Sequence, residues 1–119
     1  MRSQVPRPEV TISSLTRNCN ESLILAALAD GPLHGYQLAL DIAERSEGFF
    51  RFQHGTLYPI LHRLEKDGLI EGIWTEEGPR GKRKRYALTT RGRRFAREQR
   101  EAWRVFLARF RTALGEEMP

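Results

Sequence analysis

Apolar residues fall into separate blocks along this chain, and each block keeps its own period. In the first, Leu23-Ile24-Leu25-Ala26-Ala27-Leu28-Ala29 is apolar almost all round, which predicts a buried helix over about Glu21 to Ala29. Asn18 or Asn20 can cap its start, and Asp30-Gly31-Pro32 ends it. The second block, with Tyr36, Leu38, Leu40, Ile42 and Ala43 inward and Gln37, Asp41 and Glu44 outward, predicts a helix from about His34 or Gly35 to Arg45. Ser46-Glu47-Gly48 breaks it. Phe49-Phe50-Arg51-Phe52 follows, too short for an element of its own and too aromatic for a free loop.

In the third block Leu57, Ile60, Leu61 and Leu64 stand at i, i+3, i+4 and i+7, one stripe of a helix over about 54–66. Asp67-Gly68 stops that helix, with Gly68 suited to the left-handed position past its C-terminus. The period then changes. Leu69 to Glu76 reads as a strand, Glu77 to Lys82 as a turn, and Arg83 to Leu88 as a returning strand, so the pair forms a hairpin. A hairpin has marginal stability alone and must lie against the helices. Thr89 or Thr90 caps a last helix, about Arg91 to Leu114, whose stripe holds Phe95, Gln99, Ala102, Trp103, Phe106, Leu107, Phe110 and Leu114. A helix of ~24 residues spans about 36 Å, more than a domain of 119 residues needs. Its surplus apolar face therefore predicts pairing with a second chain.

Composition narrows the class. At 39% hydrophobic and 29% charged residues the chain is of the globular type, and no apolar run reaches the ~20 residues that span a bilayer. The N-terminus carries Arg2 and Arg7 but no apolar core of a secretory signal, and the single Cys19 suits a reducing cytoplasm. The net charge of +5 is unevenly placed: Arg80 to Arg94 contains eight Lys or Arg and no Asp or Glu. Such a run is either a solvated face or an attraction for phosphates, and its place on a hairpin beside a helix favours the second.

The helix over 54–66 has one apolar stripe and an opposite face bearing Gly55, Tyr58, Pro59, His62, Arg63 and Lys66. Pro59 falls in its first turns, where the missing N–H costs least. The three histidines, His34, His54 and His62, lack metal-ligand spacing, and no nucleophile–base set or phosphate-cradling glycine loop is present, so neither an enzyme nor a cofactor is expected.

LADGPLHGYQLALDI (from Leu28), HGTLYPILHRLEKDGLIE (from His54) and GKRKRYALTTRGRR (from Gly81) resemble the PadR family of bacterial transcriptional regulators, over roughly residues 18–107. The resemblance implies a mainly α fold with a two-stranded β wing: a winged helix-turn-helix over 18–89, after an N-terminal arm (1–17), and a C-terminal dimerisation helix with its tail (90–119). The single C-terminal helix resembles the smaller subfamily. The implied function is a homodimeric repressor that reads an inverted-repeat operator in double-stranded DNA.

On that reading the helix over 54–66 enters a major groove ~12 Å wide. Gln53, His54, Thr56 and Tyr58 stand near its start, Gly55 lets backbone approach a phosphate, and His62, Arg63 and Lys66 lie further along. Tyr58 has a second reading, as a half-buried packing residue. His34 and Tyr36 would approach the phosphate backbone, with a core role for Tyr36 equally open. Lys82, Arg83, Lys84 and Arg85 belong to the wing, where strand alternation allows only some of them to face DNA. Leu23, Phe95, Trp103, Phe106, Leu107, Phe110 and Leu114 are the dimerisation candidates. Trp103, fifteen residues after Leu88, is also similar to a tryptophan on which drug-responsive members of the family stack flat aromatic molecules. Packing is the first reading for Trp103 and a platform for a small aromatic effector the second. The rival function is a winged-helix module gripping protein or RNA; the expected lack of an aromatic-rich open sheet speaks for duplex DNA over single-stranded RNA.

Overall fold

The computed structural model describes residues 11, 18–76 and 81–116. The expected arm over 1–17, apart from Thr11, lies outside the described residues, as do the hairpin tip with Arg80, the Lys82 side chain and the tail past Glu116. The order of elements is α1 (Cys19–Leu28), β1 (Leu33–His34), α2 (Gly35–Arg45), α3 (His54–Lys66), β2 (Ile70–Glu76), β3 (Lys82–Leu88) and α4 (Thr90–Ala113).

The helix stripes converge on one core. Ile24 and Leu25 of α1, Leu38 and Ile42 of α2, and Leu57, Leu61 and Leu64 of α3 are fully buried, with Ile70 of β2 closing the cluster. Leu40, expected inward, is 61% exposed on α2. Ala39 packs on the core in its place, because 3.6 residues per turn set Leu38 and Ile42 on one face and turn Leu40 away from it. Asn18 stands at the α1 N-cap, yet its side chain makes no capping hydrogen bond. Phe49 is 80% exposed; it meets Phe50 edge-to-face at 4.9 Å, so the aromatic loop is less anchored than its composition suggests.

The sheet adds a strand to the expected wing. The two-stranded wing is part of a three-stranded antiparallel sheet in the order β1-β3-β2. Leu33 pairs with Tyr86 and His34 with Arg85, while β2 and β3 pair from Ile70–Leu88 to Glu76–Lys82. A two-residue strand leaves no alternation to read and exists only because β3 supplies its partner.

The path from α3 into the wing and on to α4 is fixed at one junction. Gly68 takes φ +77° past the end of α3, where a side chain would be strained. The Thr89 hydroxyl donates to the Gly68 carbonyl at 2.8 Å and accepts from the Gly92 N–H at 2.9 Å, so the cap of α4 also closes the α3–β2 turn. At Gly92 a Cβ would stand 1.8 Å from the Leu69 carbonyl oxygen, so only glycine allows α4 to start this close to β2. From there α4 crosses α1 and runs beyond it.

Candidate nucleic-acid interface

The α3 helix divides cleanly. Leu57, Ile60, Leu61 and Leu64 are buried, whereas Gln53 at the N-cap and His54, Gly55, Thr56, Tyr58, Pro59, His62, Arg63 and Lys66 are exposed. Pro59 is the sixth residue of α3, deeper than its expected place in the first turns. It removes the bond that residue 59 would give the Gly55 carbonyl, a cost moderated by solvent on this open face. A Cβ at Gly55 would meet nothing within 4 Å. Glycine there costs the helix about 1 kcal/mol relative to alanine, and the chain's own packing does not require it.

Tyr36, Tyr58 and the wing enclose a cleft of about 400 Å³ beside the start of α3, lined also by His34, Gly35, Trp74, Arg83, Lys84 and Tyr86. Tyr36 and Tyr58 are 43% and 39% exposed, so Tyr36 is not the core anchor that the sequence also allowed, and Tyr58 is open to solvent on one side. Tyr58 nevertheless packs tightly: a Cβ on Gly35 would stand 2.4 Å from its hydroxyl oxygen. Its ring lies 5.6 Å from that of His54. Arg83 donates to the Tyr36 hydroxyl at 3.1 Å, with the guanidinium carbon 5.4 Å from the ring centre. Burial raises the Tyr86 phenol above its ordinary pKa, and the Glu65 carboxylate adds to the shift.

Other expected contacts sit elsewhere. His34 is buried, its ring nitrogen 3.3 Å from the Lys84 carbonyl oxygen, while its backbone N–H donates to the Gln37 side chain at the start of α2. It joins α2 to the wing and has little surface to offer a phosphate. Arg63 is half-exposed but donates twice to Glu21 of α1, at 2.8 and 3.0 Å. Lys84 is ion-paired to Glu65 of α3 at 3.1 Å. Sequence spacing did not reveal these partners, since Arg63 and Glu21 lie 42 positions apart. The sheet also carries one open aromatic ring, Trp74, 62% exposed.

A second cleft, about 440 Å³, lies between α1 and α4 and is lined by Cys19, Ser22, Leu23, Ala26, Phe50, Ala96, Arg100, Trp103 and Leu107. The Trp103 indole N–H donates to the Ser22 hydroxyl at 3.0 Å, and that hydroxyl donates to Gln99, a buried residue. Trp103, Phe106 and Phe110 form a continuous ladder with centroid spacings of 5.4 and 5.7 Å. Leu23 and Phe95 pack against the chain's own core, whereas Leu107, Phe110 and Leu114 are 48, 51 and 63% exposed.

The sequence profile of the transcriptional regulator PadR-like family matches residues 24–98, more than half of the chain. The chain belongs to the PadR-like family. Among relatives of this PadR-family chain, an uncharacterised protein of Lysinibacillus sphaericus is 31% identical over 76% of this chain and 84% of its own. The negative transcriptional regulator PadR of Bacillus subtilis is 33% identical over 59% of this chain, which spans only 38% of that longer protein. A transcriptional regulator from Clostridium thermocellum superposes with a TM-score of 0.72 at 26% identity, covering 87% of this chain and 97% of its own. Bacillus subtilis PadR in complex with operator DNA superposes with a TM-score of 0.61 at 29% identity, over 67% of this chain and 44% of its own. The present chain is thus a PadR-family transcriptional regulator with the family's winged-helix fold. No described helix is long and apolar enough to cross a membrane.

Proposed function

We propose that this protein is a homodimeric repressor that reads an inverted-repeat operator through α3 and the basic wing. The observation that carries the reading is the division of α3: four buried leucine and isoleucine side chains on one face, and on the other an exposed array of polar, aromatic and cationic groups beside the cations of β3. Gly55, unneeded by the chain's own packing, fits close approach of a phosphate to the helix N-terminus. Gln53, His54, Thr56, Tyr58 and His62 face the groove, and Lys66 and the Arg83–Tyr36 pair meet the backbone. His34 supports this surface from beneath. The complex of Bacillus subtilis PadR with operator DNA lends support by likeness.

Dimerisation falls to the distal half of α4, where Leu107, Phe110 and Leu114 leave an apolar face open. Two copies joined there present two α3 helices to half-sites about one helical turn, or a multiple of it, apart. Selection from random-sequence duplex DNA should recover an inverted repeat. Affinity for it should fall steeply with salt and exceed that for a shuffled duplex by about 10³-fold or more. Equal affinity for both duplexes would rule the reading out.

A release mechanism has one supporting observation. Trp103 forms a wall of the 440 Å³ cleft with its indole edge tied to Ser22, so the ring is oriented and its face is available to a flat aromatic ligand. Titration with planar aromatic compounds, followed by Trp103 fluorescence in a Trp74→Phe background, should show saturable quenching, and calorimetric binding of the same compounds should be lost in Trp103→Ala. Absence of quenching would remove the effector role and leave Trp103 as a packing residue.

A further inference from the structure

Lys84 lies on the face of β3 that looks toward α3, and its side chain is shared among several partners. Its ammonium reaches Glu65 at 3.1 Å and sits 5.7 Å from the Trp74 ring centre and 5.5 Å from that of Tyr86. Trp74 is its direct cross-strand partner, and Gly72 is the partner of Tyr86. The lysine stem therefore crosses diagonally over Gly72 on its way to the helix. A Cβ at Gly72 would stand 2.1 Å from the Lys84 Cε and 3.0 Å from a Glu65 carboxylate oxygen. Ammonium and carboxylate are each less than one-third exposed, so solvent screens them less than a fully open pair.

We propose that Glu65, Gly72 and Lys84 form a latch that sets the angle of the wing relative to α3, making Lys84 a positioning residue and not a phosphate contact. This rests on the operator-binding reading above for its consequence, though not for its geometry. A hairpin alone is a marginal structure, and this one is anchored at its base by Ile70, Tyr86 and Leu88 and by the pairing of β3 with β1. Further out, Lys84, the cross-strand partner of Trp74, ties β3 to the helix at Glu65. Fixing that angle places the cations of the opposite strand face, Arg83 foremost, at a constant height beside the exposed side of α3. It also fixes the floor of the cleft between Tyr58 and Trp74.

The latch and the phosphate contact predict opposite behaviour. Each lysine that neutralises a phosphate contributes about 0.9 to the slope of log affinity against log salt. Binding to the selected inverted-repeat duplex is measured for Lys84→Met, Gly72→Ala and the exchange Glu65→Lys with Lys84→Glu. Lys84→Met and Gly72→Ala should each weaken binding about fivefold with the salt slope unchanged. The exchange should restore affinity to within about twofold of the parent. Gly72→Ala keeps both charges and only displaces the lysine, so it separates position from charge. A slope reduced by about 1.8 in Lys84→Met, about 0.9 for each protomer of the dimer, with unaltered affinity in Gly72→Ala, would overturn the latch.

Hydrogen exchange of the β2 and β3 amides in the free protein supplies a readout that needs no DNA. Faster exchange from Gly72 to Glu76 in Lys84→Met and Gly72→Ala, with α1 and α2 amides unchanged, is expected. Unchanged exchange in both variants would sink the latch even if DNA binding were weakened. A parent protein that bound no duplex selectively, but whose variants lost wing protection, would retain the latch and refute operator recognition.

Discussion

The molecule carries two clefts of similar size and opposite chemistry, about 440 Å³ between α1 and α4 and about 400 Å³ between α3 and the wing. The first is walled by leucine, alanine, phenylalanine and tryptophan side chains, with Arg100 its one cationic lining residue. Three tyrosines with their rings and hydroxyls, Trp74, a buried histidine, an arginine and a lysine wall the second. Both are built on the same helical core, so the difference comes from what each helix shows on its outer side. Apolar walls gain from being covered by other apolar surface, since removal from water is worth roughly 25 cal/mol per Å². Hydroxyls and cations gain nothing from such a cover and are suited to a hydrated anionic surface. One scaffold thus separates an apolar side, where we propose assembly, from a more polar side, where we propose DNA reading.

The core that underlies both clefts should give the largest effects. Leu61 is fully buried at the centre of the core. Leu61→Ala should cost about 2–5 kcal/mol of stability by leaving a cavity, and denaturant unfolding should show both sides failing together. If the reading side failed first, the common-scaffold view would be broken. Ser22→Ala acts on the assembly side. It leaves the Trp103 indole N–H and the buried Gln99 without the shared hydroxyl, at a cost of about 1–3 kcal/mol. Calorimetry should record that loss, while the salt slope of DNA binding stays at the parent value.

Lys66→Ala should do the reverse. An exposed lysine at the end of α3 is outside the core, so stability should change by less than about 0.5 kcal/mol. The salt slope should fall by about 1.8, about 0.9 for each protomer of the dimer, measured by fluorescence anisotropy at several salt concentrations. Tyr36→Phe gives the smallest effect. It removes the acceptor for Arg83 but leaves the ring beneath the guanidinium, so affinity should drop about two- to threefold. A loss above about tenfold would mean that the Tyr36 hydroxyl itself touches DNA.

Much of the reading side was legible because periodicity is a local property. The bounds of α3, its buried stripe and its exposed groups follow from residues three and four apart, and α3 begins and ends where that stripe and the Asp67-Gly68 stop require. The cations on β3 were legible as a run of charge, but their destinations were not. Arg63 and Lys84 looked equivalent to Lys66 in the sequence; Glu21 and Glu65 distinguish them only after the chain has folded. His34 looked like a helix-start contact, and the sheet buried it.

The sequence by itself determined the helix order, the hairpin after α3 and the stop at Gly68, because turn chemistry and side-chain period act over a few residues; the family followed from the resemblance of its motifs. Tertiary structure alone decided that Leu33 and His34 form a third strand, since a two-residue strand exists only beside its partner. It alone decided that Gly92 and Gly72 are glycines for reasons of close approach, because the atoms a Cβ would strike belong to other strands and side chains. It alone sorted the cations into those held by a carboxylate and those turned outward. Ion pairing depends on distance in space, which the order of residues along the chain does not record.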